Sequence, residues 1–453
     1  MEDTTNQAIV LLLNLPHPCL GGINLLSFTT TPRFYGIKNL PPGWHFVFTS
    51  STSSLSVRHG AWFHVKGPSS APPSSSAAPS PPELFIKKWD SATETLLPET
   101  SPTALLHWRA NLGSIYRDGL TPYRQSATQD RDEEETNDWA RLTDCITPAL
   151  LTRITGETPD HWSLTSASSA KVDIDDIPGL PSSSAAGPLA EKELGFLPID
   201  LKQTWRAGAT GRERTHAAQD RSWYLSSLIT TYCREDENEV LGELQFCFLM
   251  VLTLNNHSCL EQWKRVLGLL FTCISAVGQR PGFFVRAIQT LQLQLRHCGD
   301  VEGGLFDLRE EGAGLLRGLV RRFRKGLEEV EGVGKVDVVD ELEELEEYLR
   351  EEFGWEFEGE FVRRGMLELE DGERVEMEMS GYEEDDESGE YAPMVVELTP
   401  AQASALDVGD AGTLSLPERL HKVKRESKSE SEESEEAEES EDEQDLDDMD
   451  ARF

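Results

Sequence analysis

The chain has 453 residues, enough for two or three domains with hydrophobic cores, and its formal net charge is −39. Its hydrophobic content of 38% is below the globular average, so we expect part of the chain not to pack. So acidic a chain is not expected to hold nucleic acid by itself, because phosphate binding needs clustered Lys and Arg.

The acidity is concentrated near one end of the chain. Residues 341–453 hold 41 acidic and 10 basic side chains, a net charge of −31. Residues 1–340 hold 40 acidic and 32 basic side chains, a net charge of −8. We therefore predict an acidic C-terminal quarter attached to folded domains of ordinary charge.

The first unit, residues 1–162, is predicted to be a β-rich, sandwich-like domain with a few helices. AIVLLLNL (8–15) follows acidic residues and precedes no small-residue cleavage site, so it indicates a buried strand and not a signal peptide. LPPGWHFVFTS (40–50) has an alternating strand pattern after a turn, whereas the Ser- and Pro-rich segment 67–82 is predicted to be a disordered loop. Helical spacing follows at Leu105, Trp108, Leu112 and Ile115, and Thr147-Pro148 indicates a further helix start.

A linker is predicted at 163–195, followed by an all-α domain at 196–360 with five to seven helices. Its central stretch, LGELQFCFLMVLTLNNHSCLEQW (241–263), contains nine apolar or near-apolar residues from Phe246 to Leu254, about half of what a membrane helix needs. We predict two antiparallel helices here, the first at Val240–Leu254 and buried all round, with Asn255 and Asn256 at its left-handed end. Ser258-x-x-Glu261 suggests a capping box for the second helix. In that helix Trp263 is expected to face inward, and Gln262, Lys264 and Arg265 outward.

Beyond the helices we predict an acidic disordered insertion at 361–391, a short apolar strand at 392–400 and an acidic disordered tail at 401–453. The apolar strand contains Met394, Val395, Val396, Glu397 and Leu398. It either folds back on its own domain or is donated to the edge of a partner's sheet. Ser427, Ser429 and Ser440 each precede an acidic residue by three positions, the pattern of acid-directed kinase sites.

The sequence contains no Walker loop, dinucleotide-binding glycine pattern, H-E-x-x-H or G-x-S-x-G, so we predict no catalytic residue, cofactor or metal. The seven cysteines are widely spaced without a C-x-x-C pair, which indicates buried reduced thiols. His257 beside Cys259 is expected to be a solvated turn residue. The basic run Arg321–Lys325 suggests either an import or RNA patch or, more simply, a solvated helix face balanced by the Glu-rich helix that follows. Lys422–Arg425 is a second import candidate.

Several segments together resemble one family in the same chain order. They are LPPGWHF (40–46), VLGELQFCFLMVLTLNNHSCLEQWKRVLGLL (240–270), FGWEFE (353–358) and APMVVEL (392–398). The chain resembles the a1-cistron splicing factors, assembly factors of the U5 snRNP. The 67–82 loop, the acidic insertion and the acidic tail depart from the family pattern.

The resemblance implies an N-terminal β-rich domain, a VHS-like helical domain and a non-enzymatic role. It implies binding to the large U5 snRNP scaffold protein through its RNase H-like and Jab1/MPN-like domains, without direct nucleic-acid or membrane contact. Premature binding of the helicase and of RNA to that scaffold would be blocked. The resemblance also favours strand donation at Val395–Leu398 and a location in cytoplasm and nucleus. Two alternatives stay open: a VHS-like helical adaptor for cargo peptides, and an enzyme of unrecognised type.

Overall fold

The computed structural model describes residues 8–52, 56–67, 82–124, 138–157, 161–170, 193–298, 312–330, 332, 334–355 and 357, with two further strands at 362–368 and 374–380. Residues Met1–Gly381 form one compact unit, and Tyr382–Phe453 lie outside the described residues. The unit contains a β-rich region followed by a helical region, as the sequence predicts.

Two five-stranded sheets form the β-rich region. The first sheet has the order β8 (Thr95–Pro98), β7 (Leu84–Asp90), β1 (Ala8–Leu13), β4 (Gly36–Leu40), β9 (Leu120–Pro122). The second sheet has the order β10 (Ser163–Thr165), β6 (Arg58–Val65), β5 (Gly43–Ser50), β2 (Leu20–Ile23), β3 (Leu26–Thr29).

The central strand β1 explains how these sheets pack. All six residues of AIVLLL are buried, so both faces of the first sheet must be covered. Val10 and Leu12 share a core with Val47 and Phe63 of the second sheet, which gives the sandwich that the sequence predicts.

Helix α1 (Pro102–Ile115) covers the opposite face of the first sheet. Its predicted apolar stripe of Leu105, Trp108, Leu112 and Ile115 packs against Ile9, Leu11 and Leu13. The helix begins after Ser101, whose hydroxyl accepts a hydrogen bond from the Ala104 N–H. Two short helices, α2 (Asp138–Arg141) and α3 (Pro148–Thr155), complete this region.

The described helical region contains eight helices, one more than the upper limit of the prediction. They are α4 (Gly211–Gln219), α5 (Ser222–Tyr232), α6 (Asn238–Leu254), α7 (His257–Leu270), α8 (Ile274–Val277), α9 (Pro281–Arg296), α10 (Gly312–Glu328) and α11 (Gly334–Phe353). No helix among the described residues is long and apolar enough to cross a membrane.

The predicted helical hairpin is confirmed as α6 and α7, but two of its details were wrong. Fourteen of the 17 residues of α6 are buried, and Asn255 ends it in the left-handed conformation at φ 56°. Asn256 is extended and caps α7 through its side chain, so no Ser258–Glu261 capping box forms. Gln262, expected outside, is buried.

The basic run on α10 faces the acidic helix α11. Arg324 of α10 forms ion pairs with Glu343 and Glu346 of α11. This contact supports the simpler interpretation of Arg321–Lys325 as a helix face balanced by its Glu-rich neighbour.

Two predicted unstructured segments are partly ordered. Within 163–195, Ser163–Thr165 forms β10 because its backbone completes the ladder along the edge of β6. Within 361–391, β11 (Val362–Glu368) and β12 (Arg374–Ser380) pair as an antiparallel hairpin. Apolar and acidic residues alternate in VEMEM (375–379), a pattern that favours a strand despite the local negative charge.

His45 on β5 is buried between the two sheets and hydrogen-bonded as a neutral ring. Its Nε2 lies 2.8 Å from the Pro41 carbonyl oxygen, and its Nδ1 lies 3.1 Å from Asn24 Nδ2. Burial is the main cause that lowers its pKa from 6.5 to about 4, and the charge of His64 adds to it. The folded protein therefore disfavours a protonated His45.

This burial predicts a loss of stability in mild acid. The unfolded chain protonates His45 below pH 6.5 and the folded chain only near pH 4, so the free energy of unfolding should fall across that interval by up to about 3 kcal/mol. Urea unfolding of the wild type, of H45Q and of the exposed-residue control H107Q between pH 7 and 4 measures it. H45Q should have a shallower slope; a slope equal to that of H107Q contradicts the prediction.

Candidate functional site

The predicted partner-binding residues Met394, Val395, Val396, Glu397 and Leu398 lie outside the described residues, as do Ser427, Ser429 and Ser440. The described part of the chain therefore gives them no geometry. Within that part, the polar side chains of the 241–263 stretch form the most extensive buried constellation. They lie along the seam between the β-rich region and the helical region.

Aromatic packing forms the apolar part of this seam. Trp62 of β6 is fully buried. The centroid of its ring lies 5.9 Å from that of Trp139 on α2 and 6.2 Å from that of Phe246 on α6, and both pairs of rings are stacked. The outer face of the second sheet is thus covered by both a helix of its own region and the central helix of the next. Arg58 adds a polar contact, donating from Nη1 to the Thr253 carbonyl oxygen at 3.0 Å.

Glu243 is the buried charge of the seam. It is fully buried on α6, and its carboxylate lies 2.7 Å from Arg153 Nη1 of α3. It also accepts hydrogen bonds from the Leu197 N–H at 2.9 Å and from Gln262 Nε2 at 2.7 Å. These three donors therefore take the place of the water that would otherwise surround this carboxylate.

Gln245, two residues later, makes the second polar connection. Its Oε1 accepts from the Cys145 N–H at 3.0 Å, and its Nε2 donates to the Arg141 carbonyl at 3.1 Å and to Asp144 at 2.6 Å. The turn between α2 and α3 thereby satisfies its backbone groups with a side chain of α6. Glu243 and Gln245 interrupt the apolar surface of α6 because each has a specific partner in the β-rich region, the Arg153 side chain and the Cys145 N–H respectively.

Asn256 makes the third connection, in the turn that joins α6 to α7. Its Nδ2 donates to the Ser168 carbonyl at 2.7 Å and the Thr165 carbonyl at 3.0 Å, just after β10. Its Oδ1 accepts from the Cys259 N–H at 2.8 Å and caps α7. Ser258 accepts a hydrogen bond from the Ala170 N–H at 3.2 Å, so its hydroxyl serves the seam and not a capping box.

Trp263 faces inward as predicted, whereas the sequence argument missed Glu243, Gln245 and Asn256. Trp263 is 5% exposed, and its Nε1 donates to Gln294 of α9 at 2.8 Å. The sequence did contain one signal. Glu243 and Gln245 are polar residues in the first turns of a helix that is otherwise predicted to be apolar and buried all round. Such side chains need buried partners, which a search for motifs does not supply.

The cysteines confirm the prediction of reduced, buried thiols. All seven are free and buried. Burial, reinforced by the charge of Asp144, raises the pKa of Cys145 to about 12, and burial likewise raises that of Cys233 to about 12. Thiols with such pKa values are poor nucleophiles at neutral pH. His257 lies at the surface beside Glu261, as expected for a solvated turn residue.

An open pocket of about 390 Å³ lies where α6 and α9 begin. Its arginines already have partners: Arg280 pairs with Glu237, and Arg286 contacts Asn238 and Asp144. No group of three or more His, Cys, Asp or Glu side chains within the described ranges is placed to hold a metal ion. The pocket and the seam therefore provide packing and charge pairing, and neither supplies a positioned nucleophile.

The seam predicts that neutralising Glu243 destabilises the whole compact unit. E243Q should lower the free energy of unfolding by about 2 kcal/mol, because the half-buried Arg153 would lose its closest ionic partner and the Leu197 N–H and Gln262 would keep only a neutral acceptor. The matched control is E261Q on α7, whose carboxylate pairs with Lys264 near the surface and should cost less than about 1 kcal/mol. Chemical unfolding measures both, and equal losses contradict a central role for Glu243. The loss of stability in the double variant R153M/E243Q should be smaller than the sum of the losses in the two single variants, because the two side chains contact each other.

Comparison with known proteins matches both sides of this seam. The model of the AAR2 N-terminal domain matches residues 6–156, and that of the AAR2 C-terminal repeat region matches residues 196–358. A mouse relative, "Protein AAR2 homolog", is 26% identical over 318 residues, covering 66% of this chain and 77% of its own. The human relative of the same name is 26% identical over 328 residues, with the same coverage. The Caenorhabditis elegans relative is 25% identical over 320 residues, covering 65% and 80%. Since the two matched ranges together span most of the sequence, this chain belongs to the AAR2 family of a1-cistron splicing factors.

Proposed function

We propose that this protein is a non-enzymatic spliceosome assembly factor that binds the large U5 snRNP scaffold protein. Membership of the AAR2 family, with matches in both structural regions, carries the proposal. In this role the protein blocks premature binding of the helicase and of RNA to the scaffold, in cytoplasm and nucleus.

The buried seam supports such a role physically. Glu243, Gln245 and Asn256 connect the two regions through side chains that water does not reach. A body fixed in this way can contact two domains of a scaffold at once without losing internal freedom on binding. Association then costs less conformational entropy than it would for two loosely joined domains.

The segment Met394–Leu398 is the proposed attachment point. Its β-branched residues, Val395 and Val396, favour an extended strand. A strand added to a sheet edge gains backbone hydrogen bonds along its length, while alternate side chains enter pockets on one face. The RNase H-like and Jab1/MPN-like domains of the scaffold are the proposed recipients.

Two alternatives remain distinguishable by experiment. An enzyme of unrecognised type would turn over a substrate and lose activity when a single polar side chain is replaced. A helical adaptor for cargo peptides would capture its partners through the helical region without capturing the U5 scaffold. Affinity purification of the full chain from cells separates these functions, since the proposed function requires the giant U5 scaffold to co-purify without the helicase.

We predict that deleting residues 392–400 weakens scaffold capture more than deleting residues 420–453. The first deletion removes the strand that is proposed to pair with the scaffold. The second removes acidic residues that are not proposed to pair with a sheet edge of the scaffold. A pull-down with matched expression levels measures the difference. The double substitution V395D/V396D within the full chain provides a smaller change, with S427A/S429A as its control. Equal or reversed losses contradict strand donation.

We also predict that Ser427, Ser429 and Ser440 are phosphorylated in cells. Each is followed three positions later by Glu430, Glu432 or Glu443, which suits an acid-directed kinase. Intact-mass measurement of the native protein, repeated after phosphatase treatment and with all three serines changed to alanine, tests this. A native mass equal to that of the unmodified chain contradicts it.

A further inference from the structure

A positively charged, aromatic surface lies where α4 meets α5. We call it the cationic corner, and it comprises Trp205, Arg206, Arg214 and Trp223. The Arg206 guanidinium carbon lies 4.9 Å from the centroid of the Trp223 ring, and that of Arg214 lies 5.6 Å from the centroid of Trp205. Both arginines are exposed, and the Trp223 side chain is 38% exposed.

Stacking on the indoles fixes the two guanidinium groups. A cation over a tryptophan ring is attracted by the ring quadrupole, and the N–H donors at the guanidinium edge remain available. Arg214 is fixed further, because its Nε donates to the Ala209 carbonyl oxygen at 2.9 Å. Guanidinium groups held in this way lose less freedom when they bind a carboxylate in a bidentate fashion.

The carboxylate nearest this corner on α4, that of Glu213, is already engaged. It accepts hydrogen bonds from the Thr210 N–H at 2.7 Å and from the Thr210 hydroxyl at 2.8 Å. These two bonds hold the pKa of Glu213 below its usual range. Glu213 therefore closes the first turn of α4, and only part of the charge of Arg206 is offset by it.

A buried arginine lies two residues before Trp223 and adds positive charge near the corner. Arg221, at the start of α5, donates to the Thr272 hydroxyl at 3.0 Å and to the Leu201 carbonyl at 3.2 Å, two neutral groups. Burial lowers its pKa, and Arg322 of α10 contributes to the lowering because its positive charge is close. The neighbouring carboxylate of Asp220 already accepts hydrogen bonds from the Ser222 and Ser275 N–H groups. Three arginines therefore outnumber the two carboxylates near this corner, on a chain whose net charge is −39.

We propose that the cationic corner binds an acidic peptide segment of a partner protein, one that also carries an aromatic or aliphatic side chain. The carboxylates of such a segment pair with Arg206 and Arg214. Its apolar side chain covers the exposed part of Trp223, which charge pairing alone would leave in water. This site is separate from the strand donation proposed above and does not depend on it.

The requirement for an apolar contact distinguishes this partner from two other polyanions. Residues 426–445 of the chain itself are acidic but hold no hydrophobic side chain larger than Ala437, so they match the charge and not the aromatic surface. Single-stranded RNA binds by stacking bases on open aromatic faces. Here guanidinium groups already lie over one face of Trp205 and of Trp223.

Fluorescence anisotropy with the full chain and four labelled probes of equal length tests the proposal. The first probe is a 14-residue peptide in which Asp and Glu alternate with Phe and Leu. The second has Ser in place of Phe and Leu, the third has the sequence of residues 430–443, and the fourth is a 14-nucleotide oligouridine. We expect the first to bind at least about tenfold more tightly than each of the others.

Substitutions in the full chain locate the binding. R206E/R214E should weaken binding of the first probe at least about tenfold, because both guanidinium groups are replaced by like charges. The matched control K88E/R109E, which makes the same change of charge on β7 and α1, should stay within about twofold. W223A should weaken binding of the first probe more than binding of the second, because it removes the apolar contact as well as the ring that holds Arg206.

R206Q/R214Q serves as a milder variant, and circular dichroism confirms that each variant is folded. Four outcomes overturn the proposal. They are equal binding of the peptide with the sequence of residues 430–443, tighter binding of oligouridine, equal effects of the corner and control variants, and absence of binding of the first probe to the folded wild type.

Discussion

One buried carboxylate, in the first turns of an otherwise apolar helix, constrains the rest of this fold. Glu243 is fully buried, and a polar group there is tolerated only while the donors around it stay in place. Those donors come from α3, from the chain segment at Leu197 and from α7. The positions of the sandwich, the connecting segment and the helical hairpin are therefore fixed together.

Local patterns in the sequence predicted the helices and strands well. They could not predict which residues, far apart in the chain, contact each other. The alternation on β5 and the apolar stripe on α1 follow from hydrophobic periodicity, and the burial of α6 follows from its continuous apolar run; all three are properties of neighbouring residues. The Arg153 partner of Glu243 and the Thr165 and Ser168 partners of Asn256 lie far along the chain, so no local spacing encodes them. Asn256 and Ser258 are both residue types that can cap the start of a helix. Asn256 caps α7, because the Ser258 hydroxyl accepts a hydrogen bond from the distant Ala170 N–H instead. Strand β10 exists because β6 offers an open edge.

The stretch that identifies the family and the surfaces proposed for function are different parts of the molecule. Glu243, Gln245, Asn256 and Trp263 are buried, so none of them is available to a partner. Their sequence is specific because each of these side chains has a defined hydrogen-bond partner inside the folded protein. The proposed strand at Met394–Leu398 and the cationic corner lie elsewhere in the sequence. A strong resemblance in a core block thus establishes the architecture, and function has to be argued from other residues.

The buried position of Trp62 has a consequence for biosynthesis. Its strand and the rest of the sandwich have all been synthesised once residue 165 has been added, but α6 with Phe246 is complete only about 90 residues later. At about 5–20 residues per second, that interval lasts on the order of 5–20 s. Throughout it, an aromatic sheet face that the finished protein buries is open to water and to other nascent chains. Because the β-rich region precedes the helical region in the chain, there is a period during synthesis in which a molecular chaperone can bind this apolar surface.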